Sequence, residues 1–234
     1  MTRANICHGA TIRPRDPAVC HSMSSMEDDS PTLKQALNSA KRELWIQAIS
    51  KELESLNQAQ TWDVVPHPPA GVRVFPSKFV LKVKRNSDGT IERYKARLVL
   101  LGHLQRPEID FFETYAPVVD FTAVRIALVI ACQLEMAIHH LDVKCAFLNG
   151  FIDEEIYMRV PEEYSFSDGQ VCKLNRSIYG LRQAARAWHA KLSSDLTKLG
   201  YNEFRHSESV FWRERDGLKV FLLIYVDDIL ILTA

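Results

Sequence analysis

A chain of 234 residues is long enough for one large domain or two small ones built on a substantial core. Its 29 Lys and Arg balance 29 Asp and Glu, so no global field marks a polyanion binder and any such signal has to be local. Five scattered cysteines (7, 20, 132, 145 and 172) include no C-x-x-C pair; that argues against a disulfide framework or zinc knuckle and for a reducing, intracellular setting, and no apolar run reads as a signal peptide or a membrane span.

Residues 1–29 mix Ser, Met, Cys, Pro and Asp without a period and read as a disordered or unrelated tail. Ser30-Pro31 is a helix opening, with a hydroxyl at the N-cap and a proline whose missing N–H is not needed. Leu33, Ala36, Leu37 and Ala40 follow at helical spacing, and Leu44, Trp45, Ala48, Ile49, Leu53 and Leu56 carry the stripe to about Asn57. A helical lead-in over 30–65, broken near Asn38-Ser39, is expected to pack on the main domain at 66–234.

That domain opens with a turn at Pro66–Gly71 and a hairpin, Val74–Lys84 and Ile91–Leu101 around Asn86-Ser87-Asp88-Gly89. Nine Lys or Arg lie between Arg73 and Arg106, against only Asp88 and Glu92. Lys78, Lys82 and Lys84 share one parity on the first strand, and Arg93, Lys95 and Arg97 share one on the second. Period two puts each set on a single face. A cationic strand face in a neutral chain suits a phosphodiester backbone or a triphosphate; the alternative is a lysine-protected, solvated edge.

Val124 to Leu134 then predicts a largely buried helix, and His139-His140-Leu141-Asp142-Val143 a strand, left through a turn at Cys145–Gly150. The histidines read as a solvated pair at the strand start or as metal ligands. Glu162-Glu163 falls in a loop, and Val171 to Leu181 is a short apolar segment broken by Gly180. Residues 183–199 form an amphipathic helix ending at Gly200. Lys173, Arg176, Arg182, Arg186 and Lys191 make a second basic cluster with no acid among them. Last, Phe221–Ile224 and Ile229–Leu232 flank Tyr225-Val226-Asp227-Asp228, a buried hairpin with two adjacent carboxylates at its tip. Holding two like charges side by side is costly unless a cation stands between them, and a hard divalent ion takes carboxylate oxygens. A solvated Asp-Asp turn is the alternative.

Six phrases in order, "TWDVV", "KFVLKVKRNSDGTIERYKARLV", "ETYAPVV", "LDVKCAFLNGFIDEEIYM", "VCKLNRSIYGLRQAARAWH" and "YVDDILIL", resemble the reverse transcriptase of copia-type LTR retrotransposons. The resemblance runs from about Thr32 to the last residue. It implies an α/β (α+β) right-hand polymerase, with fingers and a partial palm over 66–234 and the catalytic hairpin at the C-terminal end. The activity implied is RNA-directed DNA polymerisation by two-metal nucleotidyl transfer. Asp142, Asp227 and Asp228 would be the catalytic and metal-holding carboxylates, with Asp228 the more dispensable, and Mg²⁺ would be the ion, with Mn²⁺ as a substitute. Lys78, Lys95, Arg97, Phe147, Tyr179 and Gly180 would surround the nucleotide, with Phe147 beneath the sugar and Gly180 allowing close backbone approach. Tyr225 and Val226 would border primer and template.

The partners implied are an RNA template, a DNA primer, dNTPs and the remaining Pol domains (thumb, ribonuclease H, integrase), with no membrane. The setting implied is intracellular: cytoplasm, within a virus-like particle, and the nucleus. "LLGHLQRPEIDF" lacks the glycine usual before Ile-Asp, so the finger-to-palm loop is expected to differ. Ending at Ala234, the chain is read as a piece without thumb or ribonuclease H. A truncated, inactive relic that at most binds nucleic acid is the competing reading. An integrase-like nuclease is disfavoured, because its third acid would lie on a late helix.

Overall fold

Thr32, two residues beyond the expected Ser30, opens the first helix. In the computed structural model, which describes residues 29–161, 164 and 169–233, the Gln35 side chain accepts from the Thr32 amide at 2.8 Å while the Thr32 hydroxyl caps the Gln35 amide. This reciprocal capping box satisfies two otherwise orphaned donors. Helix α1 (Leu33–Leu37) ends at Asn38, and α2 (Arg42–Gln58) restarts the stripe, burying Trp45, Ile49 and Leu56. The expectations for the N-terminal tail and for Glu162-Glu163 lie outside the described residues.

After α2 come β1 (Trp62–Pro66), β2 (Val74–Arg85), β3 (Ile91–Leu100), α3 (Phe121–Gln133) and β4 (Ala137–Asp142). They are followed by β5 (Tyr157–Arg159), β6 (Gln170–Leu174), α4 (Ala184–Lys198), β7 (Asn202–Phe204), β8 (Ser207–Arg215), β9 (Leu218–Tyr225) and β10 (Asp228–Thr233). The strands form two sheets, ordered β1-β6-β5-β2-β3 and β4-β10-β9-β8-β7. The second is antiparallel throughout; the first contains one parallel pair, β2 with β5.

In the first sheet the inward residues of β2 and β3 (Phe79, Leu81, Val83, Ala96, Leu98 and Leu100) are buried with Trp45, Ile49 and Leu56 of α2. The second sheet is covered on both faces. Phe221, Leu223, Leu230 and Leu232 pack with α3; Leu222, Ile224 and Ile229, with Phe211, pack with Leu192 and Leu196 of α4. That alternation is the period-two rule for a strand with two partners. Five buried Leu and Ile of the β9–β10 hairpin contribute roughly 1.5–3 kcal/mol each. Two charges about 4 Å apart near a surface repel by only about 1–4 kcal/mol, so the hairpin forms with its acidic tip.

One helix departs from expectation. Only Ala131 of α3 is buried, while Ile126 and Val129 are 56% and 58% exposed. A helix apolar on every side reads as buried, but among the described residues α3 has a packing partner on one side only.

Two glycines join the halves of the chain. The Tyr179 carbonyl accepts from the Leu100 amide at 2.9 Å. A Cβ on Gly180, which has φ +94°, would stand 2.1 Å from the Leu100 carbonyl oxygen, and one on Gly102 would stand 1.9 Å from the Gly180 carbonyl oxygen. Beside them, buried Gln105 and Gln183 bond each other at 3.1 Å. Gln105 also accepts from the Arg182 amide at 2.9 Å, and Gln183 donates to Glu154 at 3.2 Å. The loop beyond β3 is stapled by Asp110, which bonds Arg106 at 3.2 Å and Arg73 at 3.3 Å. Burial acts to raise the Asp110 pKa, but the Arg106 and Arg73 bonds outweigh it and hold the carboxyl low.

Candidate active site

Asp142 ends β4 and Asp228 begins β10, and the two are cross-strand partners. Asp228 is also paired with Tyr225, so Val226 and Asp227 alone form the turn between β9 and β10. Val226 has φ +57°, the left-handed value that the first central position of a type II′ turn needs and that glycine normally supplies. The Val143 amide donates to the Asp227 carbonyl at 2.8 Å, extending the β4–β10 ladder to the tip. The three carboxylates therefore stand on neighbouring strand ends, Asp142 exposed and Asp227 and Asp228 half-exposed.

Two further groups hold the tip: His140, which the sequence offered only within a solvated or metal-ligating pair, and Trp188, which sequence reasoning missed. His140 Nε2 lies 2.8 Å from Asp228 Oδ1; it shares the parity of Asp142 on β4, the signal that could have singled it out from His139. The Trp188 indole N–H donates to the Val226 carbonyl at 2.7 Å. Beside Asp228 an open hollow of about 410 Å³ is lined by Tyr225, His140, Phe121 and Val124, among others. Among the described residues no three His, Cys, Asp or Glu side chains already close on a common point. As a donor set the carboxylates fit a hard cation: oxygen ligands only, on adjacent strands.

The basic hairpin face is real. Lys82 pairs with Lys95 and Lys84 with Arg93 across the ladder, while Arg97 faces Val80 and Lys78 faces Val99. Cross-strand partners share a face, so all six cations stand on the side away from the core. Partial burial pushes the Lys95 ammonium pKa down, helped by Arg97, Arg93 and Lys84. Arg97 lies 4.5 Å over the ring of Tyr179, and its Nε is buried without a hydrogen-bond partner. Tyr179 in turn meets Phe147 edge-to-face at 5.3 Å, and Ser177 Oγ donates to the Phe147 carbonyl. Arg97, Tyr179 and Phe147 thus run in contact from β3 to the turn that follows Asp142. Lys78 stands at the other end of the face, and Gly180 makes its close approach to the Leu100 backbone.

Beneath this face a half-buried acid was also missed. Glu52 of α2 accepts from the Leu98 amide at 3.1 Å, covering an outward donor of the edge strand β3. Burial raises its carboxyl pKa, partly offset by the Leu98 bond and by Arg97 and Lys95. Trp45, Ile49, Glu52 and Leu56 follow helical core spacing, so the sequence did carry that signal.

The second basic cluster is not a free patch. Lys173 bonds Glu155 at 2.6 Å, Arg186 bonds Glu113 at 2.9 Å and Lys191 bonds Asp195. Arg176 stacks on Phe151 at 4.6 Å, and Arg182 donates to the Gly102 carbonyl at 3.2 Å. Acids from other segments answer Lys173 and Arg186, and one a helical turn away answers Lys191.

Comparison with known proteins gives the family. Residues 59–234 match the family model described as reverse transcriptase (RNA-dependent DNA polymerase). The chain is 38% identical over 222 residues to the retrovirus-related Pol polyprotein from transposon RE1 of Arabidopsis thaliana, covering 94% of this chain and 15% of that protein. It is 37% identical over 220 residues to the corresponding polyprotein from transposon TNT 1-94 of Nicotiana tabacum, covering 93% of this chain and 16% of that one. Identity to the transposon Ty1-MR1 Gag-Pol polyprotein of Saccharomyces cerevisiae is 31% over 195 residues, covering 81% of this chain and 10% of that protein. The chain thus spans about one sixth or less of the length of these relatives.

Proposed function

The chain belongs to the reverse transcriptase (RNA-dependent DNA polymerase) family, in its copia-type Pol branch, and we propose on that premise that it transfers deoxynucleotides to a DNA primer along an RNA template. The first sheet would serve as fingers and the second as palm of a right-hand polymerase. The cross-strand pairing of Asp142 with Asp228, with Asp227 beside them at the turn, is the observation that carries this reading.

Asp142 and Asp227 would hold the metal pair, with Asp228, tethered to His140, as the more dispensable neighbour. Two Mg²⁺ ions bound there would supply the charge that favours loss of the primer 3′-hydroxyl proton and offsets charge on the leaving pyrophosphate. The protein's own part is positioning. Lys95 stands among the like charges of Arg97, Arg93 and Lys84, so an incoming triphosphate relieves a repulsion as well as forming charge-assisted bonds. The Arg97 guanidinium rests over the Tyr179 ring, and Phe147, packed on Tyr179, would floor the sugar and exclude a 2′-hydroxyl. A cationic face that reads backbone and shape suits an RNA–DNA hybrid.

RNA template, DNA primer, dNTPs and the other Pol domains are the partners proposed. Among the described residues no helix is long and apolar enough to cross a membrane. The free thiols of Cys132, Cys145 and Cys172 support the intracellular setting proposed, in the cytoplasm within a particle and in the nucleus.

The test is primer extension by the purified chain on poly(rA)/oligo(dT) with Mg²⁺. Incorporation of dTTP is expected, with Asp142→Asn or Asp227→Asn lowering it about a thousandfold, the scale of losing several kcal/mol of charge stabilisation. Asp228→Asn should cost less. Salt-sensitive hybrid binding without incorporation would overturn the polymerase reading and leave a nucleic-acid-binding relic.

A further inference from the structure

Val226 occupies a backbone conformation its side chain disfavours. At φ +57° a β-branched residue is a genuine outlier, and such strain persists only where the surroundings impose it. The surroundings here include one donor. Trp188, 6% exposed on α4, aims its indole N–H at the Val226 carbonyl, 2.7 Å away. A buried indole donor needs a partner, and this carbonyl supplies one.

The same turn of α4 carries a second segment. Gly150 closes the turn that leaves β4, and its Cα faces the helix so closely that a Cβ would stand 2.7 Å from the Trp188 amide nitrogen and 2.8 Å from the Ala187 carbonyl carbon. The Gly150 carbonyl also accepts from the Ser177 amide at 2.8 Å. One turn of α4 therefore touches the stretch just after Asp142 by backbone contact and the stretch just before Asp227 by a hydrogen bond.

We propose that Trp188 is a positioning residue for the carboxylate site. Its indole holds the β9–β10 turn in the left-handed state, and the helix turn it stands on, docked against Gly150, sets the spacing between Asp142 and Asp227. This rests on the reading of Asp142 and Asp227 as the metal-holding pair. Trp188 itself touches no reacting group. Its effect runs through the Val226 backbone, in the way that outer partners orient the ligands of a metal site.

Mn²⁺ is the probe, its affinity for the full chain read by the electron-paramagnetic-resonance signal of the free ion. Trp188→Phe keeps an aromatic ring and removes the donor; it should weaken Mn²⁺ binding about tenfold, the scale measured for outer-shell partners. Val226→Gly removes the strain the indole opposes, so Trp188→Phe on the Val226→Gly background should cost at most about twofold, a non-additivity expected of coupled sites. A merely structural role for the ring predicts equal losses on both backgrounds and overturns the proposal. Asp227→Asn separates the two levels. If it abolishes Mn²⁺ binding while folded Trp188→Phe does not weaken it, the positioning role alone fails; if it leaves Mn²⁺ binding intact, the metal reading fails and takes this proposal with it. Should Trp188→Phe not fold, hydrogen exchange of the four tryptophan indoles in the unaltered protein decides, assigned with Trp→Phe variants at the other three positions. Slow exchange at Trp188 supports the bond, and exchange at the rate of an exposed indole overturns it.

Discussion

Replacing Gly180 by alanine tests how firmly the two halves of the fold are joined. At φ +94° a side chain costs about 1–2 kcal/mol. The added Cβ would also stand 2.1 Å from the Leu100 carbonyl oxygen, a backbone atom that cannot rotate aside, and overpacking of this kind costs about 1–3 kcal/mol. The sum, about 2–5 kcal/mol, is a large share of the roughly 5–15 kcal/mol that stabilises a typical domain. In a chain of this size each kcal/mol moves Tm by roughly 2–4 °C, so thermal unfolding followed by circular dichroism should show a fall of roughly 4–20 °C. Gly89→Ala is the control. Gly89 has φ +86° but nothing within 4 Å of its would-be Cβ, so it carries the conformational cost alone, roughly 2–8 °C. Equal losses in the two variants would mean that the backbone contact holds nothing, and the reasoning would fail.

Glu52→Gln keeps an acceptor for the Leu98 amide and removes a charge whose pKa burial has raised. A raised carboxyl contributes stability that is present below the unfolded pKa and lost as pH rises through the folded one. The variant should therefore be the more stable at pH 7, with a flatter stability–pH curve just above the usual glutamate range; a lower Tm at pH 7 would refute it. Gln183→Ala strips Gln105 of a buried partner and should cost about 1–3 kcal/mol in denaturant unfolding, where a cost near zero would show that water replaces the bond. Alanine at Lys82, Lys84 or Lys95 should lower the salt slope of hybrid binding by up to about 0.9 for each phosphate left without its cation. Lys173→Ala and Arg186→Ala, which remove only cations already paired with acids, should leave the slope unchanged.

Much of this was legible because it is local. The β2–β3 hairpin follows from its Asn-Ser-Asp-Gly turn, and the one-sided charge from parity alone. Helix α4 follows from its apolar spacing and Gly200, and the β9–β10 hairpin from two apolar runs around a polar pair. What escaped depends on partners far along the chain. Nothing near Val74 announces its parallel pairing with Tyr157, and nothing in the Lys173–Lys191 segment shows that Lys173 and Arg186 are answered by Glu155 and Glu113. Strand β8, which joins the hairpin to the rest of its sheet, alternates too weakly to stand out. Helix α3 misled for the opposite reason: its composition asks for burial on all sides, and burial is a property of neighbours. At the site, the acidic tip was visible, but the groups that hold it, His140 and Trp188, act through tertiary contacts that one sequence does not print.

The position of β4 at the edge of its sheet sets an order of events during synthesis. Its neighbour among the described residues is β10, and His140 meets Asp228 across 88 positions. At the usual pace of a ribosome, roughly 5–20 residues per second, β4 waits some 4–18 s with half-exposed Ile138 and Leu141 and no ladder. Long-range pairing of this kind is slow to form and prone to mispairing while it waits. The carboxylate cluster therefore cannot assemble until β10 has been made, and a chain released before the hairpin is translated carries Asp142 alone.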